Sequence, residues 1–166
     1  MSPVLVVVGP PGAGKSTVGA LLASKLGGAL RDTDSDVERA AGKPISEIFI
    51  DDGETVFREL ERTAVAAALD EHQGVVALGG GAVTDAATRE RLRAHRVVFL
   101  DVGLADAASR VGLNRDRPLL IGNPRAQLKK LLDQRRPLYV EVATITVDTS
   151  GRTPDDVAAE VLRHVG

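Results

Sequence analysis

The residues Gly9-Pro10-Pro11-Gly12-Ala13-Gly14-Lys15-Ser16-Thr17 fit the pattern G-x-x-x-x-G-K-[ST]. The chemistry of such a stretch is phosphate binding. Glycines let a loop curl until its backbone N–H groups converge on an anion, and a following helix adds the partial positive charge of its N-terminus. Gly12, Ala13, Gly14 and Thr17 would form the cradle, and Lys15 would reach the β- and γ-phosphates. The Ser16 hydroxyl would ligate Mg²⁺. A glycine-rich turn can match by chance, but the flanks argue otherwise. Val4 to Val8 is an unbroken apolar run of the kind a buried parallel strand shows. Val18, Leu21, Leu22 and Leu26 then recur at helical spacing until Gly27-Gly28. A nucleoside triphosphate is the expected ligand.

Other residues with chemical potential stand at apolar-run ends. Asp32 and Asp34 follow a short strand at Ala29-Leu30. Either could simply cap a helix. The strand Val75 to Leu78 and the glycines after it contain no acid to steady a metal ion, however, so Asp32 is the nearest candidate, acting through the ion's waters. Asp34 is left to face the acceptor. Gly79-Gly80-Gly81 reads as a flexible turn, or as bare backbone that lets a substrate approach closely. Arg58 and Glu61 share a helical face, and an exposed i,i+3 ion pair is their default reading. The stretch 112–124 has the polar, proline- and glycine-containing composition of a long mobile loop, a lid that would keep water from the γ-phosphate.

Elements that could position these residues follow from the apolar pattern. Helices are predicted over 35–41, 45–52, 54–71, from Thr84 or Asp85 to about 94, over 104–111, over 125–135 and after Thr153. Strands fall at 75–78, 97–100 and 145–147. In the helix over 54–71, Val56, Leu60, Ala64 and Ala67 mark the apolar face, and Pro137 is expected to stop the helix over 125–135. Thr153-Pro154-Asp155-Asp156 is a strong helix start. Strand–helix alternation predicts a parallel sheet covered on both faces, with ligands at the C-terminal strand ends. The chain has 166 residues, enough for one domain, and no apolar run long enough for a membrane span. The N-terminus lacks the basic-then-apolar order of a signal peptide, and there is no cysteine, so a cytoplasmic address is expected. A net charge of −2 and scarce aromatics (Phe49, Phe57, Phe99, Tyr139) argue against nucleic acid as a partner.

Taken in order, the phosphate loop, Asp32-Thr33-Asp34, Phe57-Arg58 with Glu61, Gly79-Gly80-Gly81-Ala82, Arg117-Pro118-Leu119 and Arg135-Arg136-Pro137-Leu138-Tyr139 resemble shikimate kinase. The resemblance runs from Val4 to the final helix. It implies a P-loop NTPase fold, a three-layer α/β/α sandwich like the nucleoside monophosphate kinases. That is a single domain over 1–166, with a lid at about 112–124 and substrate-binding helices at about 35–62. It implies ATP-dependent phosphorylation of shikimate to shikimate 3-phosphate, on the way to chorismate and the aromatic amino acids, by a monomeric enzyme using Mg²⁺. By the same resemblance Asp34 binds shikimate hydroxyls and accepts the proton, while Arg58 and Arg135 grip the carboxylate. Gly80, flanked by Gly79 and Gly81, touches the substrate through its backbone. Arg117 stabilises the transferring phosphoryl group, and Arg110 and Arg152 sandwich adenine, with Pro154 nearby. Two departures stand out. Ala77 replaces a common Ser or Thr, and the tail motif reads Arg-Arg-Pro.

Helical geometry bears on which arginine serves. Leu128, Leu131 and Leu132 define an apolar stripe; at about 100° per residue Arg135 falls within roughly 15° of its centre and Arg136 nearly 90° round. Arg136, just before proline, is expected outside helical dihedrals and facing solvent. Two rival readings share the scaffold: a kinase of another small hydroxylated acid such as gluconate, and a nucleotide-binding regulatory module without catalysis.

Overall fold

The structure, a computed structural model, describes residues 3–110 and 124–165. In chain order these form β1 (Leu5–Val8), α1 (Lys15–Lys25), β2 (Leu30–Asp32), α2 (Thr33–Ala41), α3 (Ile45–Asp51) and α4 (Glu54–Glu71). There follow β3 (Val75–Ala77), a short 3-10 turn (Ala82–Thr84), α5 (Ala86–Leu92), β4 (Val97–Asp101) and α6 (Leu104–Arg110). Then come α7 (Pro124–Val142), β5 (Ile145–Asp148) and α8 (Pro154–Val165). The strands make one parallel sheet in the order β2-β3-β1-β4-β5. β1 lies at its centre, where an unbroken apolar run is required because both faces are covered.

The alternation of side chains along β1 divides the core in two. Leu5 and Val7 pack with Val18 and Leu22 of α1 and with Val157 and Val161 of α8. Val6 and Val8 face the opposite way, onto Val65 and Leu69 of α4 and Tyr139 of α7. All four β1 side chains are at most 1% exposed, each worth roughly 1.5–3 kcal/mol of burial. The expected three layers are therefore present. No helix among the described residues is long and apolar enough to cross a membrane.

Helix α7 departs from expectation. It does not stop at Pro137 but carries that residue inside it and continues to Val142. Proline forfeits one backbone hydrogen bond, but the turn beyond it buries Tyr139 and Val142 in the second core. Leu128, Leu131 and Leu132 belong to the first core, so α7 passes from one face of the sheet to the other. Arg135 stands at that crossing. Arg136 is helical, not displaced, and pairs with Asp101 at 2.9 Å while lying over the Phe99 ring.

Smaller corrections follow the same logic. The face of α4 is turned by one residue: Phe57, Glu61, Val65, Ala68 and Leu69 are buried, whereas Val56 is exposed and Leu60, Ala64 and Ala67 lie at the margin. Asp85, not Thr84, caps α5, accepting from the Thr88 N–H. Thr153 caps α8 as expected, through the Asp156 N–H. The lid expected over 112–124 lies outside the described residues, Arg117 included, except that Pro124 opens α7.

Candidate active site

Between β1 and α1 the loop closes because its glycines permit what other residues would not. A side chain at Gly9 would place its Cβ 2.6 Å from the Leu100 carbonyl. Gly14, with φ 87°, starts α1 from the left-handed region. The Lys15 ammonium donates to the Gly9 carbonyl at 2.8 Å and the Pro10 carbonyl at 3.1 Å. Burial disfavours its charge and lowers its pKa to about 8, against the opposing pull of Asp34 and Asp32. A phosphate arriving there would restore what desolvation removes.

A cleft of about 480 Å³ opens over this loop. Gly12, Ala13, Gly14, Lys15, Ser16 and Thr17 line it, and so do Arg110, Arg152 and Pro154. Every nucleotide-binding residue expected from the sequence, Arg117 aside, therefore meets in one place. The two arginines are held by groups that sequence reasoning missed. Arg110 donates to the Gly12 carbonyl at 3.0 Å and to the Thr149 carbonyl at 2.8 Å, and buried Thr149 in turn donates to the Asp101 carbonyl. Arg152 is fixed by Glu160 at 2.6 Å and by the carbonyls of Asp148 and Asp156. Thr149 was findable, since it follows a strand at the ligand-binding end of the sheet.

Asp32 answers the capping question for one of its two oxygens and leaves the other beside the phosphate loop. Its Oδ1 accepts the Asp34 N–H at 2.9 Å, capping α2, and its Oδ2 accepts from the Ser16 hydroxyl at 2.9 Å. Its register partner across the sheet is Ala77, whose methyl adds no oxygen there. Thr33 is fully buried and ties the ends of β2 and β3: it accepts the Gly79 N–H at 3.3 Å and lies 3.4 Å from the Ala77 carbonyl.

Freed from capping, the Asp34 carboxylate turns toward the glycine turn. A Cβ at Gly79 would sit 2.5 Å from Asp34 Oδ1 and 3.1 Å from Glu61 Oε2, so a side chain there would have to displace the Asp34 carboxylate. Burial, then the charge of Asp32, raises the Asp34 pKa. Arg58 bonds Glu61 at 2.8 Å, and its guanidinium fills the space beside Gly81. The pair is not the exposed surface bridge expected by default, because the Glu61 side chain is only 4% exposed. Burial raises the Glu61 pKa, with Arg58 opposing. Arg135, half-buried, acts electrostatically on Lys15, Glu61 and Tyr139 at once. Of the acceptor residues expected from sequence, Asp34 alone lines the nucleotide cleft; Arg58, Gly79, Gly80, Gly81 and Arg135 gather beside it.

These two neighbouring groups of residues have close counterparts. A family model described as shikimate kinase matches residues 11–166. The shikimate kinase of Salinispora arenicola is 64% identical over 161 residues, covering 97% of this chain and 96% of the relative. The shikimate kinase of Acinetobacter baumannii, solved in complex with shikimate, superposes with a TM-score of 0.91 at 38% identity, covering 99% of this chain and 93% of that one. A gluconokinase from Sinorhizobium meliloti 1021 shares the fold alone, at a TM-score of 0.60 and 22% identity over 97% of this chain and 90% of that one. With both groups spanned by these matches, the chain belongs to the shikimate kinase family, which transfers the terminal phosphoryl group of ATP to shikimate.

Proposed function

We propose that the residues beside the phosphate loop form the shikimate subsite, with Asp34 as the group that joins the two substrates. One observation carries this reading: Asp34 lines the cleft together with Lys15, while its Oδ1 lies 2.5 Å from where a Cβ at Gly79 would sit, so a single carboxylate borders both halves. Arg58 and Arg135 supply guanidinium forks for the acceptor's carboxylate, since paired N–H bonds fix orientation as well as charge. Gly79, Gly80 and Gly81 offer main chain where side chains would crowd Asp34, Pro11 and Arg58 respectively. Asp34 then orients the 3-hydroxyl. As the hydroxyl oxygen bonds to the γ-phosphorus and the bond to the bridging oxygen breaks, ADP departs and the hydroxyl proton passes to Asp34. In a loose transition state that transfer comes late, so Asp34 is an orienting group first and a base second.

Ser16 and Asp32 fit Mg²⁺. They offer hard oxygen donors, and the Ser16 hydroxyl can keep donating to Asp32 while a lone pair faces the ion. When bound, the ion neutralises charge on the β- and γ-phosphate oxygens. Arg110 and Arg152 hold the base between them. A single domain acting as a monomer completes the reading, and the absence of cysteine supports a cytoplasmic address. An ADP-release assay with shikimate, quinate and gluconate tests the reading. Turnover confined to shikimate is expected; preference for gluconate would overturn the subsite, and ADP release indifferent to any acceptor would overturn the kinase mechanism.

A further inference from the structure

The Tyr139 hydroxyl donates to the Gly80 carbonyl at 2.5 Å. The ring behind it is 1% exposed and stacks on Phe99 with centroids 5.0 Å apart. Burial pushes the phenol pKa up to about 12, so it stays a donor throughout the working range. Gly80 is confined on its other side as well, since a Cβ there would meet Pro11 of the phosphate loop at 3.1 Å. Among the described residues, no hydrogen bond takes up the Gly80 or Gly81 N–H. The peptide is planar and trans, so fixing the Gly80 carbonyl also fixes the Gly81 N–H, which points the opposite way.

We propose that Tyr139 is a positioning residue for the acceptor: through the Gly80 carbonyl it sets the glycine turn so that its unclaimed amides face the substrate beside Arg58. The inference rests on the subsite assigned above. It also accounts for Pro137. The helix must run past Arg135 for four more residues to deliver this hydroxyl, and the buried ring offsets the lost backbone bond.

Tyr139→Phe keeps the ring and removes the donor. Expected are a roughly tenfold rise in KM for shikimate, a KM for ATP within about twofold and a kcat lowered by less than about threefold, taking one hydrogen bond as the loss. In glycine-labelled protein the Gly81 amide resonance should move on substitution while those of Gly12 and Gly14 stay, a readout that a melt does not give. An unchanged KM for shikimate, or equal rises for both substrates, overturns the proposal. The same factor should appear in an Arg135→Ala background; if it vanishes there, Tyr139 acts on Arg135 and the route through Gly80 is wrong. Arg58→Ala separates the levels. If it raises the shikimate KM and Tyr139→Phe does not, this inference alone falls. If neither does, the subsite falls too.

Discussion

In the phosphate half of the cleft, the residues assigned to ATP's phosphates run consecutively from Gly12 to Thr17. In the acceptor half they are drawn from α2, α4, the glycine turn and α7, with Asp34 and Arg135 far apart in the chain. The first half works mainly with main chain that three glycines allow to curl. The second works with side chains whose relative places are set by packing across the end of the sheet. Damage should therefore differ in kind: substitutions in the loop should stop turnover outright, whereas those in the acceptor half should weaken one substrate and spare the other.

The largest effect is expected at Lys15. Lys15→Ala should lower kcat by roughly 10³-fold, the scale of losing one preorganised charge on a transferring group. Its folded pKa lies below the unfolded value, so at neutral pH its charge costs the fold stability that is regained only as pH rises above about 8. Removing it should accordingly leave the melt within roughly 3 °C. Near-normal kcat would erase the contrast between the halves. Asp34→Asn should cost about 10² in kcat/KM for shikimate while ATP affinity holds. The cap of α2 belongs to Asp32, so a stability loss without a kinetic one would mean that Asp34 is structural.

Arg135→Ala should weaken shikimate use by roughly 30-fold, since stranding a buried charge partner costs about 2–5 kcal/mol. Next comes pH. Phosphates hold Lys15 protonated, whereas the free enzyme releases that proton above about 8, so ATP binding should take up a proton and weaken by up to about tenfold between pH 7 and 9. Titration calorimetry in two buffers of different ionisation enthalpy would show it, and Lys15→Ala should abolish it. The smallest effect is reserved for Arg136→Ala: a few-fold change in shikimate KM with some loss of stability, because its partners are Asp101 and the Phe99 ring. If Arg136 proves the stronger arm, the crossing point of α7 is misplaced.

The phosphate loop was legible because its determinants are contiguous: a glycine spacing, a lysine and an apolar run on each side. Sheet and layers followed from runs such as Val4 to Val8. The crossing of α7 was not legible, because Pro137 is locally a helix stop and only the burial of Tyr139 and Val142 overrides it. Arg135 was nonetheless placed inward, since the leucine period holds through the turn before the proline. On α4 the apolar period was misread by one step. Glu61 looks like a surface residue in sequence, yet it is buried against Arg58, and the alanines gave the pattern little contrast. Glu160 was not legible for a related reason: it acts by holding Arg152, eight residues earlier and outside the helix that carries it.

The strand order has a metric consequence. Neighbouring strands lie about 4.8 Å apart, so β1, which ends in the phosphate loop, stands about 10 Å from each edge of the sheet. Asp32 and Asp34 extend from one edge strand, and Thr149 and Arg152 follow the other. On the proposed assignment the sheet would act as a gauge laid across the reaction path, with the base on one flank and the acceptor on the other. On that assignment the phosphoryl group would travel across the strands. A bulkier acceptor cannot be admitted by lengthening a strand; it requires that β2 and the helices after it be set further out.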